Sequence, residues 1–302
     1  MLGLLKKAVI ADYIAQYNDL IFAAPDTYNG FENVMAIYGY TLQIYLDFSG
    51  YSDMAIGFGR IMGFDLGVNF KLPYQAQNIT DFWRRWHISL STWLRDYIYI
   101  PLGGNRKGKF RTYVNLMITM LLGGLWHGAN WKFVFWGMFH GIALAVHKAT
   151  KSILDRIPNI FPTKFVSWFI TFHFVIFLWI FFRAADIQRP QEVIVIEDGV
   201  EIEMVQNVRI DAFVVSWMVI KQVFTDFDIS FAVHFWDARW LWVVLVIIGF
   251  LTHTIPLKIL DKLSDIFVKT PFMVKLFLFI IVVQLVIQFQ NESVQPFIYF
   301  QF

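Results

Sequence analysis

The chain has 302 residues, of which 57% are apolar or aromatic and only 16% are charged, against roughly 25% charged in water-soluble domains, so water is not its main solvent. A formal net charge of +2, with the basic residues in local clusters and no long stripe, excludes nucleic acid as a partner. The absence of cysteine removes disulfides, thiolate metal sites and a Cys nucleophile, leaving group-transfer chemistry to oxygen or imidazole.

Residues 1–7 carry Lys6 and Lys7 but no long apolar core and no small-residue cleavage site, so a signal peptide is not expected and insertion falls to internal helices. The run at 34–48 is a weak candidate span, interrupted by Gly39 and closed by Asp47. Asp47 and the nearby Asp53 are expected to pair with Arg84, Arg85 or Arg95.

Residues 80–97 form the first segment with chemistry in it. Asn78 or Thr80 can cap a helix there, with Asp81 in its first turn. Helical spacing sets Trp86, Leu90, Trp93 and Tyr97 on one face and Arg84, His87, Ser91 and Arg95 on another. The two arginines beside two tryptophans are explained equally well as a headgroup anchor or as a substrate site lined by Arg84 and His87.

Strong apolar runs follow at 113–125, 133–146 and 165–182; about 20 such residues cross a bilayer. The loop before the first carries Arg106, Lys107, Lys109 and Arg111 with no acid, and the loop after the second carries Lys148, Lys151 and Arg156 against Asp155. The positive-inside rule places both in the cytoplasm.

Between the first two runs stands Gly123-Gly124-Leu125-Trp126-His127-Gly128-Ala129-Asn130-Trp131. Gly124 and Gly128 share a helical face that allows close backbone approach, and Gly128 could equally break the helix. An ionisable group at membrane depth usually marks a substrate path or proton relay, so His127 reads as functional, with a hydrogen-bonded packing histidine as the alternative. Asn130, three residues on, would share its side of the helix and could hold the ring or a carbonyl oxygen.

The third run delivers residues 186–211 to the outside, with seven acids against Arg189 and Arg209. Within this insertion, 193–196 and 200–205 flank Asp198-Gly199, which predicts an exposed β-hairpin. The run at 212–224 carries Lys221 and suits an interface; 241–251 and 272–289 complete the spans. Thirty-three Phe, twelve Trp and twelve Tyr suit lipid-facing helices with aromatic belts. His140, His147, His173, His234 and His253 are isolated and lack ligand spacing, so they read as structural and no metal site is expected. The reading is therefore an all-α, polytopic transmembrane fold over 1–302, carrying the acidic insertion.

Several segments together resemble the membrane-bound O-acyltransferase family in its bacterial, alginate O-acetyltransferase-like branch. They are Leu4 to Asp12, Gln43 to Asp53, Trp83 to Asn105, Trp126-His127-Gly128, Leu178 to Ala184 and Gln295-Pro296-Phe297. The resemblance implies a helical fold around a funnel or tunnel, with His127 at its constriction and His87 as a second important histidine. Family members usually carry further helices before Lys6-Lys7, so the chain is expected to be N-terminally incomplete.

The chemistry implied is transfer of an acetyl or other short acyl group from a cytoplasmic thioester, acetyl-coenzyme A or an acyl carrier protein, with no bound cofactor. The acceptor is a hydroxyl of an exported glycan or envelope polymer, the setting a bacterial inner membrane, and a periplasmic acetyltransferase a common partner. Neutral imidazole, with a pKa near about 6.5, suits His127 as the base that takes the acceptor's proton. Trp83, Arg84, Ser91 and Trp126 would bind substrate, and Asn130 would stabilise the oxyanion. Ser49, Ser89 and Ser91 sit in no recognisable nucleophile turn, so direct transfer is preferred to an acyl-serine route. The rivals are a D-alanyl transferase of the same family, a transporter with His127 in the solute path, opposed by the lack of an inverted repeat, and a scaffold using the acidic hairpin.

Overall fold

The computed structural model of the chain describes residues 1–158, 160–197 and 200–289, with backbone alone at 193–197 and 200–203. A helical turn, α1 (Leu2–Leu4), runs through a π-helical stretch (Leu5–Ala11) into α2 (Asp12–Ala23). The long α3 (Gly30–Ile61) opens on a capping box: Asn29 Oδ1 accepts from the Glu32 amide at 2.9 Å and Glu32 Oε2 from the Asn29 amide at 3.2 Å, satisfying two orphan donors.

Two short helices follow, α4 (Ile79–Arg85) and α5 (Ile88–Leu94), then a π-helical turn (Arg95–Tyr99). The helical pair α6 (Gly108–His127) and α7 (Trp131–Leu154) precedes α8 (Phe161–Arg183). The strands β1 (Ile187–Glu197) and β2 (Val200–Ile210) lead to α9 (Ala212–Thr225), α10 (Phe231–His253), α11 (Leu257–Lys269) and α12 (Phe272–Phe289).

The fold is the expected all-helical membrane fold with one hairpin. Among the described residues, α8, α10 and α12 are long and apolar enough to cross a membrane. α6 and α7, with 20 and 24 residues, match the thickness of a hydrocarbon core at about 1.5 Å per residue, although their ends are polar. α3 is the hub, packing against α2, α8, α9 and α10. Large rings fill the interior: Trp86, Trp136, Trp179, Phe181 and Phe182 are almost wholly buried. Such rings contribute more apolar burial per residue than any other side chain.

The basic segments at 103–112 and 148–156, expected as loops, fall largely on the start of α6 and the end of α7 and lie on one face, where Lys148 donates to Asn105 Oδ1. This is the parity that the charge pattern demands. The hairpin is antiparallel from Ile187↔Ile210 to Glu197↔Val200, longer than the two predicted runs because its ladder continues down to the membrane helices. The Asp198-Gly199 turn and Gln295-Pro296-Phe297 lie outside the described residues.

Two sequence expectations need correction here, and one helix falls where the sequence reading assigned no element. The helix foreseen across 80–97 is broken at His87, which adopts a left-handed conformation with φ 44°. The break sends Trp86 and Leu90 inward and leaves Trp93 and Tyr97 exposed, so their common face does not exist. Asp47 and Asp53 pair with Lys7 and Lys6, at 2.5 and 2.8 Å, and not with arginines; Arg85 and Arg95 are engaged by the adjacent Asp81 and Asp96. Finally, α11 was not foreseen, because its lysines and aspartates break any apolar run although its leucines and Phe267 recur at helical spacing.

Candidate active site

His127 is the last residue of α6, and Gly128 leaves the helix in an extended conformation (φ 160°, ψ 154°). Asn130 then caps α7, its Oδ1 accepting from the Lys132 amide at 3.0 Å. Asn130 therefore does not continue the helix of His127, and the expected shared face is replaced by a capping role at a helix-to-helix corner. A Cβ on Gly124 would lie 2.3 Å from the Phe133 carbonyl oxygen, so only glycine lets α6 and α7 approach this closely.

That approach encloses the His127 ring, whose residue is 9% exposed. Ring centroids lie at 4.9 Å (Phe182), 5.0 Å (Trp126), 5.2 Å (Trp136) and 6.1 Å (Phe133). Lys132 reinforces the enclosure: its buried ammonium donates to the carbonyls of Ala184 at 2.5 Å and Phe182 at 3.3 Å. It ties the start of α7 to the end of α8, where cationic charge is favoured. Sequence reasoning missed Lys132, although a lysine bordering an apolar run is itself a signal.

His87 is placed by its backbone. Asn69 bonds across the α4–α5 break: its carbonyl accepts from the Ile88 amide at 3.0 Å, and its Oδ1 from the Ser89 amide and hydroxyl at 3.1 and 3.0 Å. His87 Nδ1 faces the Leu90 amide at 3.4 Å as the cap of α5, with Ser89 Oγ at 3.3 Å. The ring meets Phe48 edge-on at 4.6 Å and Trp126 at 6.3 Å. The half-exposed Trp126 thus touches both imidazoles.

A second group lines a cavity of about 960 Å³ that holds Trp83, Arg84 and Ser91 together with Arg95, Lys148 and Lys151. Asp81 and Asp155 are the acids in its wall, so the cations outnumber them on the face that carries the basic loops. Ser91 Oγ also donates to the Trp86 carbonyl at 3.0 Å. His127, His87, Trp126 and Asn130 are not part of that lining. The two groups meet at Trp83, whose ring is 5.7 Å from Trp136, itself in contact with His127.

Of the remaining histidines, His234 is exposed beside the Phe231 ring, and the other four have polar neighbours. His140 faces Trp83, His147 Thr80, His173 Tyr38, and His253 the Tyr74 amide. Among the described residues no three His, Asp or Glu converge as a metal site. On the hairpin side, hydrogen bonding from Arg189 holds the Asp26 carboxyl below the usual carboxylate range.

The comparisons with known proteins agree with this architecture. A sequence model of the membrane-bound O-acyltransferase family matches residues 15–186. A probable alginate O-acetylase of Pseudomonas putida is 54% identical over 187 residues, 62% of this chain and 38% of the relative. A peptidoglycan O-acetyltransferase of Helicobacter pylori is 46% identical over 193 residues, 64% of this chain and 36% of the relative. A teichoic acid D-alanyltransferase of Bacillus subtilis is 31% identical over 186 residues, 58% of this chain and 47% of the relative. The chain thus spans well under two thirds of the length of these relatives. With more than half of its residues matched by the family model, the chain belongs to the membrane-bound O-acyltransferase family.

Proposed function

We propose that the protein transfers a short acyl group, acetyl by similarity to the alginate and peptidoglycan enzymes, from a thioester to a hydroxyl of an exported polymer. The observation that carries this reading is the junction of a basic cavity with a buried imidazole at the Trp83–Trp136 contact. A phosphate-bearing thioester donor, coenzyme A or an acyl carrier protein, matches the cations Arg84, Arg95, Lys148 and Lys151 at the cavity wall.

In the transfer, the acceptor oxygen attacks the thioester carbonyl while His127 takes the hydroxyl proton. The tetrahedral intermediate expels the thiolate, which recovers that proton, so the C–S bond breaks as the C–O ester bond forms and the imidazole is regenerated. The aromatic enclosure excludes water, which would otherwise hydrolyse the thioester. His87 orients a substrate through Trp126, the ring both histidines share. Asn130, committed to its cap through Oδ1, is left to act through its amide nitrogen or the adjacent backbone.

The inner membrane of a bacterium as the site of action, a glycan acceptor and a second extracytoplasmic protein that receives the acyl group belong to the same proposal. The test compares His127→Ala with wild type at matched membrane levels, reading ester-linked acyl groups on surface polysaccharide by mass spectrometry. Loss of those esters with a normally folded protein supports the reading. Unchanged acylation overturns it in favour of transport or scaffolding.

A further inference from the structure

We propose that His140 is a positioning residue that anchors the Trp83 indole, and that the anchored indole limits the length of the acyl group admitted to His127. The inference rests on the acyl-transfer reading above. Trp83 stands in the wall of the cavity, and its Nε1–H donates to His140 Nδ1 at 3.3 Å. On the acyl-transfer reading, the contacts that link the cavity to His127 run through this indole and its neighbour Trp136.

His140 is fully buried in an aromatic cage. It stacks on Phe82 at 6.2 Å and meets Trp136 edge-on at 4.6 Å and Phe174 at 5.9 Å. A phenylalanine would fill the same cage. With Nδ1 accepting from Trp83, the neutral ring carries its proton on Nε2, which is buried with no hydrogen-bond partner among the described residues. Burying that polar atom has a desolvation cost that phenylalanine would avoid. What the imidazole adds is an acceptor aimed at the indole. A tryptophan ring fixed at both its face and its N–H has one position, and so leaves one size of space.

The experiment uses membranes of cells expressing the protein, with their cytosol present and acetyl-, propionyl- or butyryl-coenzyme A supplied, and measures each acyl group esterified to polymer. In His140→Phe the butyryl-to-acetyl ratio is expected to rise about tenfold, the scale at which a pocket discriminates methylene groups. His140→Asn, which retains an acceptor near the Nδ1 position, is expected to keep the wild-type ratio. Trp83→Phe, which keeps a ring but loses the N–H, should shift the ratio as His140→Phe does, and adding His140→Phe to it should change nothing more.

An unchanged ratio in His140→Phe at matched membrane levels overturns the inference, as does an equal shift in His140→Asn. Should His140→Phe not reach the membrane, Trp83→Phe decides alone, and a wild-type ratio there overturns it. A wild-type protein that transfers none of the three acyl groups overturns the acyl-transfer reading instead.

Discussion

Lys7 reaches the carboxylate of Asp47 at 2.5 Å, joining the N-terminal π-helical turn to the middle of α3, where Asp47 is buried. Lys7 also pairs with Asp12 at 2.7 Å, so one ammonium serves two acids on two elements. Removing one partner of a buried pair is expected to destabilise by about 3 kcal/mol, at the low end of its range because Asp12 remains. Asp47→Ala should lower the melting temperature of the detergent-solubilised protein, and Asp47→Leu combined with Lys7→Met and Asp12→Asn, which leaves no carboxylate unpaired, should recover most of the loss. Equal melting temperatures for Asp47→Ala and wild type would show that the pair contributes nothing.

Folding and chemistry can be separated at His87. Its φ of 44° is tolerated by asparagine and strongly disfavoured in β-branched residues. His87→Asn should accumulate in membranes at the wild-type level yet lose at least about tenfold in acyl transfer if the imidazole orients substrate. His87→Val should fail to accumulate. Full activity in the asparagine variant would reduce His87 to a helix cap.

The α6–α7 seam sets the position of His127. Gly124→Ala drives a Cβ against the Phe133 carbonyl, and the helices must separate to admit it. The expected cost is about 1–3 kcal/mol, as for other overpacked interiors. Because His127 lies one turn further along the same helix, acyl transfer should fall more steeply than protein level, which paired immunoblot and ester measurements would register.

The hairpin should respond to acid. Asp26 is held below the usual carboxylate range chiefly by its hydrogen bonds from Arg189. A depressed carboxylate pKa stabilises the docked state above the unfolded value of about 3.9 and loses that contribution as pH falls through the folded value. Hydrogen-exchange protection at the base of β1, taken relative to the intrinsic exchange rate at each pH, should therefore be flat from neutral pH to about 4 and fall below it. Asp26→Asn should show faster exchange already at neutral pH; identical exchange in both proteins would remove Asp26 as the anchor.

The helices were most legible where an apolar run came close to a membrane-crossing length, as in α8 and α12, and the family motifs pointed to His87 and His127 together. What could not be read was set by distance along the chain. Lys7 finds Asp47 forty positions away, and Trp83 finds His140 fifty-seven positions away; no local pattern encodes either. The break at His87 was invisible because the residues around it keep helical periodicity on both sides, and Asn69, which bonds across the break, is distant. Asn130 was misplaced for the opposite reason: its spacing from His127 suits a helix, but Gly128 ends that helix first.

Among the described residues the hairpin is fastened by ion pairs near its root, Arg189 of β1 to Asp26 and Arg209 of β2 to Asp186. Beyond that root Met204 and Val205 are exposed, and the family match itself stops at residue 186. The projection can therefore change in length and charge with little effect on the packing that encloses His127. A short epitope spliced between Glu197 and Val200 would report orientation, being cleaved by protease added to spheroplasts where the hairpin faces outward and protected where it faces the cytoplasm.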